Sequence, residues 1–358
     1  MLKKLVVMVS VFALSASLVA CGKNEEGAAG ATSTSGQTSP QKLTIVDWDA
    51  NSVGYRKAAV YDAFEKKYNV KIEIETPPDY GKLQAMVDSG NVTWDVVNVD
   101  SFYGKLAGQQ GLFEPLDYNI VKKDGYNDQT ATANFIASDS FATVISWNSN
   151  KISAAEAPKT WADFWDLKKF PGGRSAYKFP APTMEMALLA DGVTPDKLYP
   201  LDLDRAFKKL NEIKKEFKTW WTSGAQVPDL LTNGTAALST GYDGALTDQK
   251  RKGTPVAFTY ENAFRSYLGW VIPKGTKNKD LAMKFVAFAT SVDVQVDYGK
   301  HADYAPANQK AIDQLSDADK KRLGVTPELQ KIQIAADDSY WIANFDKVQE
   351  RFEQWLLE

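Results

Sequence analysis

Residues 219–244, TWWTSGAQVPDLLTNGTAALSTGYDG, set two adjacent indoles, a small polar turn, a short helix, a strand of small residues and a Tyr-Asp-Gly turn in close succession. Ser223 is placed to cap a helix starting near Gly224, and Leu230, Leu231 and Ala237 supply the apolar positions of a helix followed by a strand. In an α/β sheet ligands bind at strand ends, because backbone groups and side chains converge there on a crevice. Trp220, Trp221, Tyr242 and Asp243 fall at such ends. Aromatic walls with one carboxylate suit a small amine-bearing solute, through ring faces and a charge-assisted hydrogen bond. The same residues also suit a hydrophobic core and a plain turn, so this stretch alone leaves both readings open.

The chain of 358 residues is long enough for two lobes of ordinary domain size. Its 44% hydrophobic and 24% charged residues are a globular composition, so each lobe can bury a core. A formal net charge of −3 with no long basic run argues against phosphate neutralisation, so no nucleic-acid partner is expected. Cys21 is the only cysteine and His301 the only histidine. That excludes a disulfide within the chain and a zinc site built on Cys and His, and it leaves one imidazole for any Ser-His-Asp or Cys-His catalysis. His301 lies in the loop-like run GKHADYAPAN and reads as a surface or packing residue. No metal and no cofactor is expected. Hydrolysis by two carboxylates survives simple counting, although no motif points to it.

Residues 1–21, MLKKLVVMVSVFALSASLVAC, join two lysines to an apolar run and then small residues. This is the pattern of a secretory signal, too short for a membrane span of about 20 apolar residues. Its ending, Leu18-Val19-Ala20-Cys21, resembles the lipobox of bacterial lipoproteins, in which the cysteine is acylated. The mature chain is therefore expected to be exported and held to a lipid bilayer through Cys21, at the cell surface or in the periplasm. Residues 22–41, rich in Gly, Ser, Thr and Ala, read as a flexible tether. Strands are expected at 42–49, 70–75 and 94–99, with helices at about 55–68 and 80–89 between them. That alternation argues for a parallel sheet with helices on both faces. Trp48 and Asp49 follow the first strand and Asp100, Ser101 and Phe102 the third, so these are expected to face the crevice. A strand at 140–147 and a capped helix within 158–173, packing Trp161 and Trp165, lead into a second alternation. Its strand is expected at 175–179, its helices at 183–190 and 204–217, and after residue 244 a strand at 267–272, a helix at 279–290 and a last helix at 339–357.

Four phrases in order along the chain, VISWNSN, KTWADFWDLKKFPG, GTKNKDLAMKFVAFATSVDVQ and DYAPAN, resemble the extracellular substrate-binding proteins of bacterial ABC importers. Within that family the chain is most similar to the spermidine/putrescine-binding group, over residues 42–358. The resemblance implies a two-lobed periplasmic-binding-protein-like α/β fold, each lobe a mainly parallel sheet flanked by helices, with hinge strands between. By analogy one lobe comprises residues 42–146 and 267–310, the other 147–266 and 311–358. It also implies a monomeric receptor, not an enzyme, that hands a small solute to an ABC permease. Polyamine receptors use an indole after the first strand, matched by Trp48, and polar and aromatic groups after the third, matched by Asp100, Ser101 and Phe102. An aromatic heads the turn that here begins at Tyr242. The chain departs at three acids, whose places are taken by Phe179, Pro182 and Leu268. Leaving a cation of a polyamine unpaired in a closed cleft costs several kcal/mol. Asp49, Asp100 and Asp243 remain for cations, and Arg265 for a carboxylate held in a guanidinium fork. Tyr304 and Trp341 complete the expected aromatic lining. A polyamine, an amino acid or ω-amino acid zwitterion, and a carboxylate-dependent surface enzyme are thus the readings to be separated.

Overall fold

The computed structural model describes residues 40–358. The expected signal peptide, Cys21 and all but the end of the expected tether lie outside the described residues. The first alternation forms in the expected places. Strands β1 (Gln41–Val46), β2 (Val70–Glu75) and β3 (Val96–Asp100) run parallel, with β1 in the middle. The first helix starts at Ala50 and not near Tyr55, because Asp49 is its N-cap and accepts from the Ser52 amide at 2.8 Å. It passes through a π-helical turn, Lys57–Asp62, into helix Ala63–Tyr68.

Strands β4 (Ile136–Asn148) and β8 (Val256–Val271) join this half to the next and pair antiparallel along most of their length. In the second half β5 (Arg174–Tyr177), β6 (Phe217–Trp221) and β7 (Leu238–Tyr242) are parallel, with β5 in the middle. The whole order is β2-β1-β3-β8-β4-β7-β5-β6. Short β9 (Ala305–Pro306) pairs with β4, and β10 (Ile334–Ala335) with β8. On β4 the register slips between Ala137 and Asp139, so Ser138 is an inserted residue that re-aims the side chain after it.

The helix expected within 158–173 is only Trp161–Trp165, closed by a Thr160–Asp163 capping box, and both its indoles are buried. In residues 219–244 Ser223 caps a tight turn that leads into helix Val227–Thr232. Tyr-Asp-Gly is not a turn: Asp243 opens helix Asp243–Arg251. His301 is exposed as expected, but on the last turn of helix Val292–His301 and not in a loop.

Helices cover both faces of the sheet. Leu43, Ile45, Phe64, Trp270 and Phe285 centre one core, and Trp161, Phe164, Phe207, Phe352 and Trp355 another. Helix Asp338–Leu357 docks on the second through Trp341, Val348, Phe352 and Trp355, each such side chain stabilising by roughly 1.5–3 kcal/mol on burial. Ile312, Leu315, Leu323 and Val325 instead pack with Ala305 and Val296. No helix among the described residues is long and apolar enough to cross a membrane.

Candidate functional site

Strand ends and helix starts from both halves of the sheet surround a cavity of about 830 Å³. Trp48, Asp49, Asp100, Ser101, Phe102, Tyr242, Tyr304 and Trp341 line it. The rings brace one another. Trp48 meets Tyr80 edge-on with centroids 6.4 Å apart, and Tyr80 stacks on Tyr103 at 3.6 Å. Phe102 stands between Phe345 at 5.0 Å and Phe179 at 6.2 Å, and Tyr242 between Phe141 at 5.0 Å and Tyr177 at 5.9 Å. Tyr304 meets Tyr55 at 5.7 Å. It comes so close to Gly244 that a Cβ there would lie 2.3 Å from its ring, so glycine is required.

Four expected contacts lie off the lining. Successive residues of β6 point to opposite faces, and helices cover both. Trp220 packs on Phe217, Phe352 and Trp355. Trp221 is fully buried, stacked on Tyr177 at 4.6 Å and edge-on to Tyr242 at 5.1 Å, so it supports two cavity rings from behind. Asp243 spends its carboxylate on structure. Its Oδ1 accepts from the Ala142 and Gly244 amides at 2.9 Å each, and its Oδ2 from the Tyr260 hydroxyl at 3.4 Å. Arg265 and Ser266 point to opposite faces of β8, and only Ser266 of the two lines the cavity. The Arg265 guanidinium donates to Gln333 Oε1 at 2.7 Å, to the Gly324 carbonyl at 3.1 Å and to Ser140 Oγ at 3.3 Å, and lies 3.7 Å from Asp243.

The floor is a buried charge cluster. Arg56 Nη1 donates to both oxygens of Asp47, at 2.7 and 2.9 Å, while Nη2 donates to Asp139 Oδ1. Tyr61 donates its hydroxyl proton to Asp47 Oδ2 at 2.6 Å, and Ser138 donates to Asp139 Oδ1. Burial opposes the guanidinium charge, but Asp139 and Asp47 outweigh it and hold Arg56 well above its ordinary pKa. Two carboxylates share one cation, and Asp139 Oδ2 has no hydrogen-bond partner among the described residues.

The walls carry acids without cations. Burial pushes the Asp100 carboxyl up to about 6, although its Oδ2 accepts from the Tyr80 hydroxyl at 2.8 Å. Glu185 is fully buried on helix Pro180–Ala190. Its Oε1 accepts from Trp341 Nε1 at 2.7 Å and from the Tyr199 hydroxyl at 2.8 Å, whereas Oε2 is buried with no partner. Burial pushes this carboxyl up to about 7; the two donors offset that in part and Asp337 adds to it. Trp48 Nε1 also lacks a partner. Arg56, Asp139 and Glu185 escape sequence reading, since Arg56 and Glu185 fall within the first turn of expected helices and Asp139 just before an expected strand, not after a strand's C-terminal end where a ligand contact is sought. Among the described residues no cluster of His, Cys, Asp and Glu is placed to hold a metal ion.

An aromatic and acidic cleft at the strand ends of a sheet joined by two long shared strands is the architecture of a two-lobed solute receptor. The profile of the bacterial extracellular solute-binding protein family matches residues 59–324, and the chain belongs to that family. A gamma-aminobutyric acid-binding protein of Pseudomonas aeruginosa is 31% identical over 329 residues, which cover 89% of this chain and 92% of the relative. The solved Atu4243–GABA receptor matches with a TM-score of 0.80 at 39% identity, covering 88% of this chain and 98% of that one. SpuD, a putrescine-binding periplasmic protein of Pseudomonas aeruginosa, is 22% identical over 311 residues, 80% of this chain and 83% of the relative. The chain is accordingly a transport receptor of the ABC type and not an enzyme.

Proposed function

We propose that the chain captures a small solute bearing a primary amine and delivers it to an ABC permease. The observation that carries this reading is the charge of the lining. Asp49, Asp100, Asp139, Glu185, Asp338 and Asp346 face the cavity; Lys105 answers Asp338, and the lining's guanidinium, Arg56, is already shared by Asp47 and Asp139. An ammonium is the charge such a cleft lacks, and ring faces around it add cation–π attraction. The putrescine-binding and GABA-binding relatives support the amine.

A second reading, an ω-amino acid, is favoured by the GABA-binding relatives and by the unpartnered Trp48 Nε1, a donor suited to a carboxylate. Arg265 does not serve it, since its donors are engaged elsewhere. Calorimetric titration of the full chain with putrescine, 4-aminobutyrate, butane-1,4-diol and a galactoside separates the cases. Binding of either amine but not of the diol is expected, with 4-aminobutyrate preferred if the second reading holds. Binding of the galactoside alone would retire both.

Closure occurs between residues 42–146 with 267–310 and residues 147–266 with 311–358, about β4 and β8. The packing of Ile312 to Val325 with Ala305 argues for moving 311–325 to the first lobe. The receptor acts as a monomer, exported and anchored through lipidated Cys21. Incorporation of labelled palmitate that Cys21→Ser abolishes is the expected result.

A further inference from the structure

Glu185 is the cavity acid that has a buried, unpaired oxygen and no cation in contact with it. Its carboxyl is fixed at one end, because Trp341 Nε1 and the Tyr199 hydroxyl both donate to Oε1. The other oxygen is buried, points to no donor, and belongs to a residue with no exposed surface. A buried acceptor left unpaired is costly, so the arrangement needs either a proton or a partner.

The surroundings decide which kind of partner fits. Helix Asp338–Leu357 presents Asp338 and Asp346 to the same cavity, with Asp337 just before it, and Asp100 stands at the head of helix Ser101–Gln109. Lys105 is bound to Asp338. Helix Leu203–Ile213, packed on the Glu185 helix, offers Arg205 and Lys209, but both meet Asp191 at that helix's far end. The short helix Trp161–Trp165 offers Asp163, which is held by Lys169. Of the acids that face the cavity here, Asp338 is paired with Lys105, while Asp100 and Asp346 have no cation partner among the described residues, and the cations on the neighbouring helices are held by acids away from the cavity. An anion would be repelled, and a cation is the partner that completes the site.

Resting on the reading of the solute as an amine, we infer that Glu185 Oε2 receives the solute's ammonium group, so that Glu185 sets specificity for the amine and gives up a proton when the solute binds. The raised carboxyl supports the second half: a group pushed up to about 7 is largely protonated at pH 6 and must ionise to pair with the ammonium. The apparent affinity then rises with pH and levels off above 7. Between pH 6 and pH 8 the gain is about tenfold, with close to one proton released per solute at the lower pH.

The test is calorimetric titration of the full chain with 4-aminobutyrate and with putrescine at pH 6 and pH 8, each in two buffers of different ionisation enthalpy. Glu185→Gln keeps an oxygen for Trp341 and Tyr199 but cannot ionise. The expected result is a wild-type affinity about tenfold higher at pH 8, with proton release at pH 6, and a variant that binds at least tenfold more weakly at pH 8 with most of the pH slope gone. Circular dichroism of the variant, unchanged from wild type, separates lost contact from lost fold. Glu185→Asp, which keeps the charge but shortens the reach, is expected to retain the slope. Wild-type binding of an amine that does not vary with pH, or a Glu185→Gln variant that binds like wild type, overturns this inference while the amine reading stands. A wild-type chain that binds neither amine overturns both.

Discussion

Two buried carboxylate sites share this cavity, and they differ by one cation. At the floor Arg56 lies between Asp47 and Asp139, with Tyr61 and Ser138 supplying further donors. At the wall Glu185 has two neutral donors on one oxygen and no cation at all. Burial is nearly complete in both places, so exposure does not distinguish them. The difference teaches what each is for: a buried charge with its counter-charge in the chain is architecture, whereas one without is a site waiting for a charge from outside.

The comparison breaks most severely at Arg56. Arg56→Met leaves two buried carboxylates without their guanidinium and is expected to cost about 3–5 kcal/mol. That is a large share of an ordinary domain's 5–15 kcal/mol and is read from urea unfolding. A loss below about 1 kcal/mol would mean that the floor is not the paired structure described.

Glu185→Gln should act in the opposite direction in the solute-free chain. The folded carboxyl stands at about 7 against an ordinary 4.5, so the native state binds the proton more tightly than the unfolded one. Wild-type stability therefore falls as pH rises from about 4.5 to 7, and glutamine, which does not titrate, escapes that loss. The variant is expected to be more stable than wild type at pH 8, by on the order of 3 kcal/mol, with the two converging near pH 4.5. Chemical denaturation across that range checks it, and a gap independent of pH would be the wrong outcome.

Trp341→Phe sharpens the wall further by removing the indole donor to Glu185 while keeping the ring. A loss of about 1–3 kcal/mol in thermal or urea unfolding is expected, with the carboxyl driven higher still. The smallest effect belongs to Lys105→Met. Its ion pair with Asp338 is partly exposed, at 13% and 18%, so removing it should cost under about 1 kcal/mol. A larger loss would make that pair a main fastening of the C-terminal helix.

Much of the fold is legible because its first and second halves each repeat strand and helix with clear caps. Asp79, Thr160 and Ser223 open their elements where the local rules place them. The front part of β8 is not legible, since residues 257–262 are all half-buried and show no two-residue alternation. That pattern comes from a strand shared between two halves, which a local window cannot see. The site divides the same way. Trp48, Asp100 and Tyr242 sit at strand ends, a position with a topological reason to face a ligand. Trp220 and Trp221 lie at a strand end too, but tertiary packing claims them. Glu185 is hidden in the run TMEMALL, where an isolated acid looks like the wet face of a helix; the packing of Tyr199 and of Trp341, the latter far along the chain, covers it.

The distribution of indoles gives the molecule its own optical readout. Of ten tryptophans, Trp48, just after β1, and Trp341, on helix Asp338–Leu357, line the cavity, and the other eight lie off its lining, with Trp94, Trp161, Trp221 and Trp270 sealed in cores. An indole's emission follows the polarity around it. The eight off the lining give a steady background, and occupancy of the cleft is written in the colour of the two that line it, with Trp48→Phe and Trp341→Phe reporting which end of the cleft a given solute has reached.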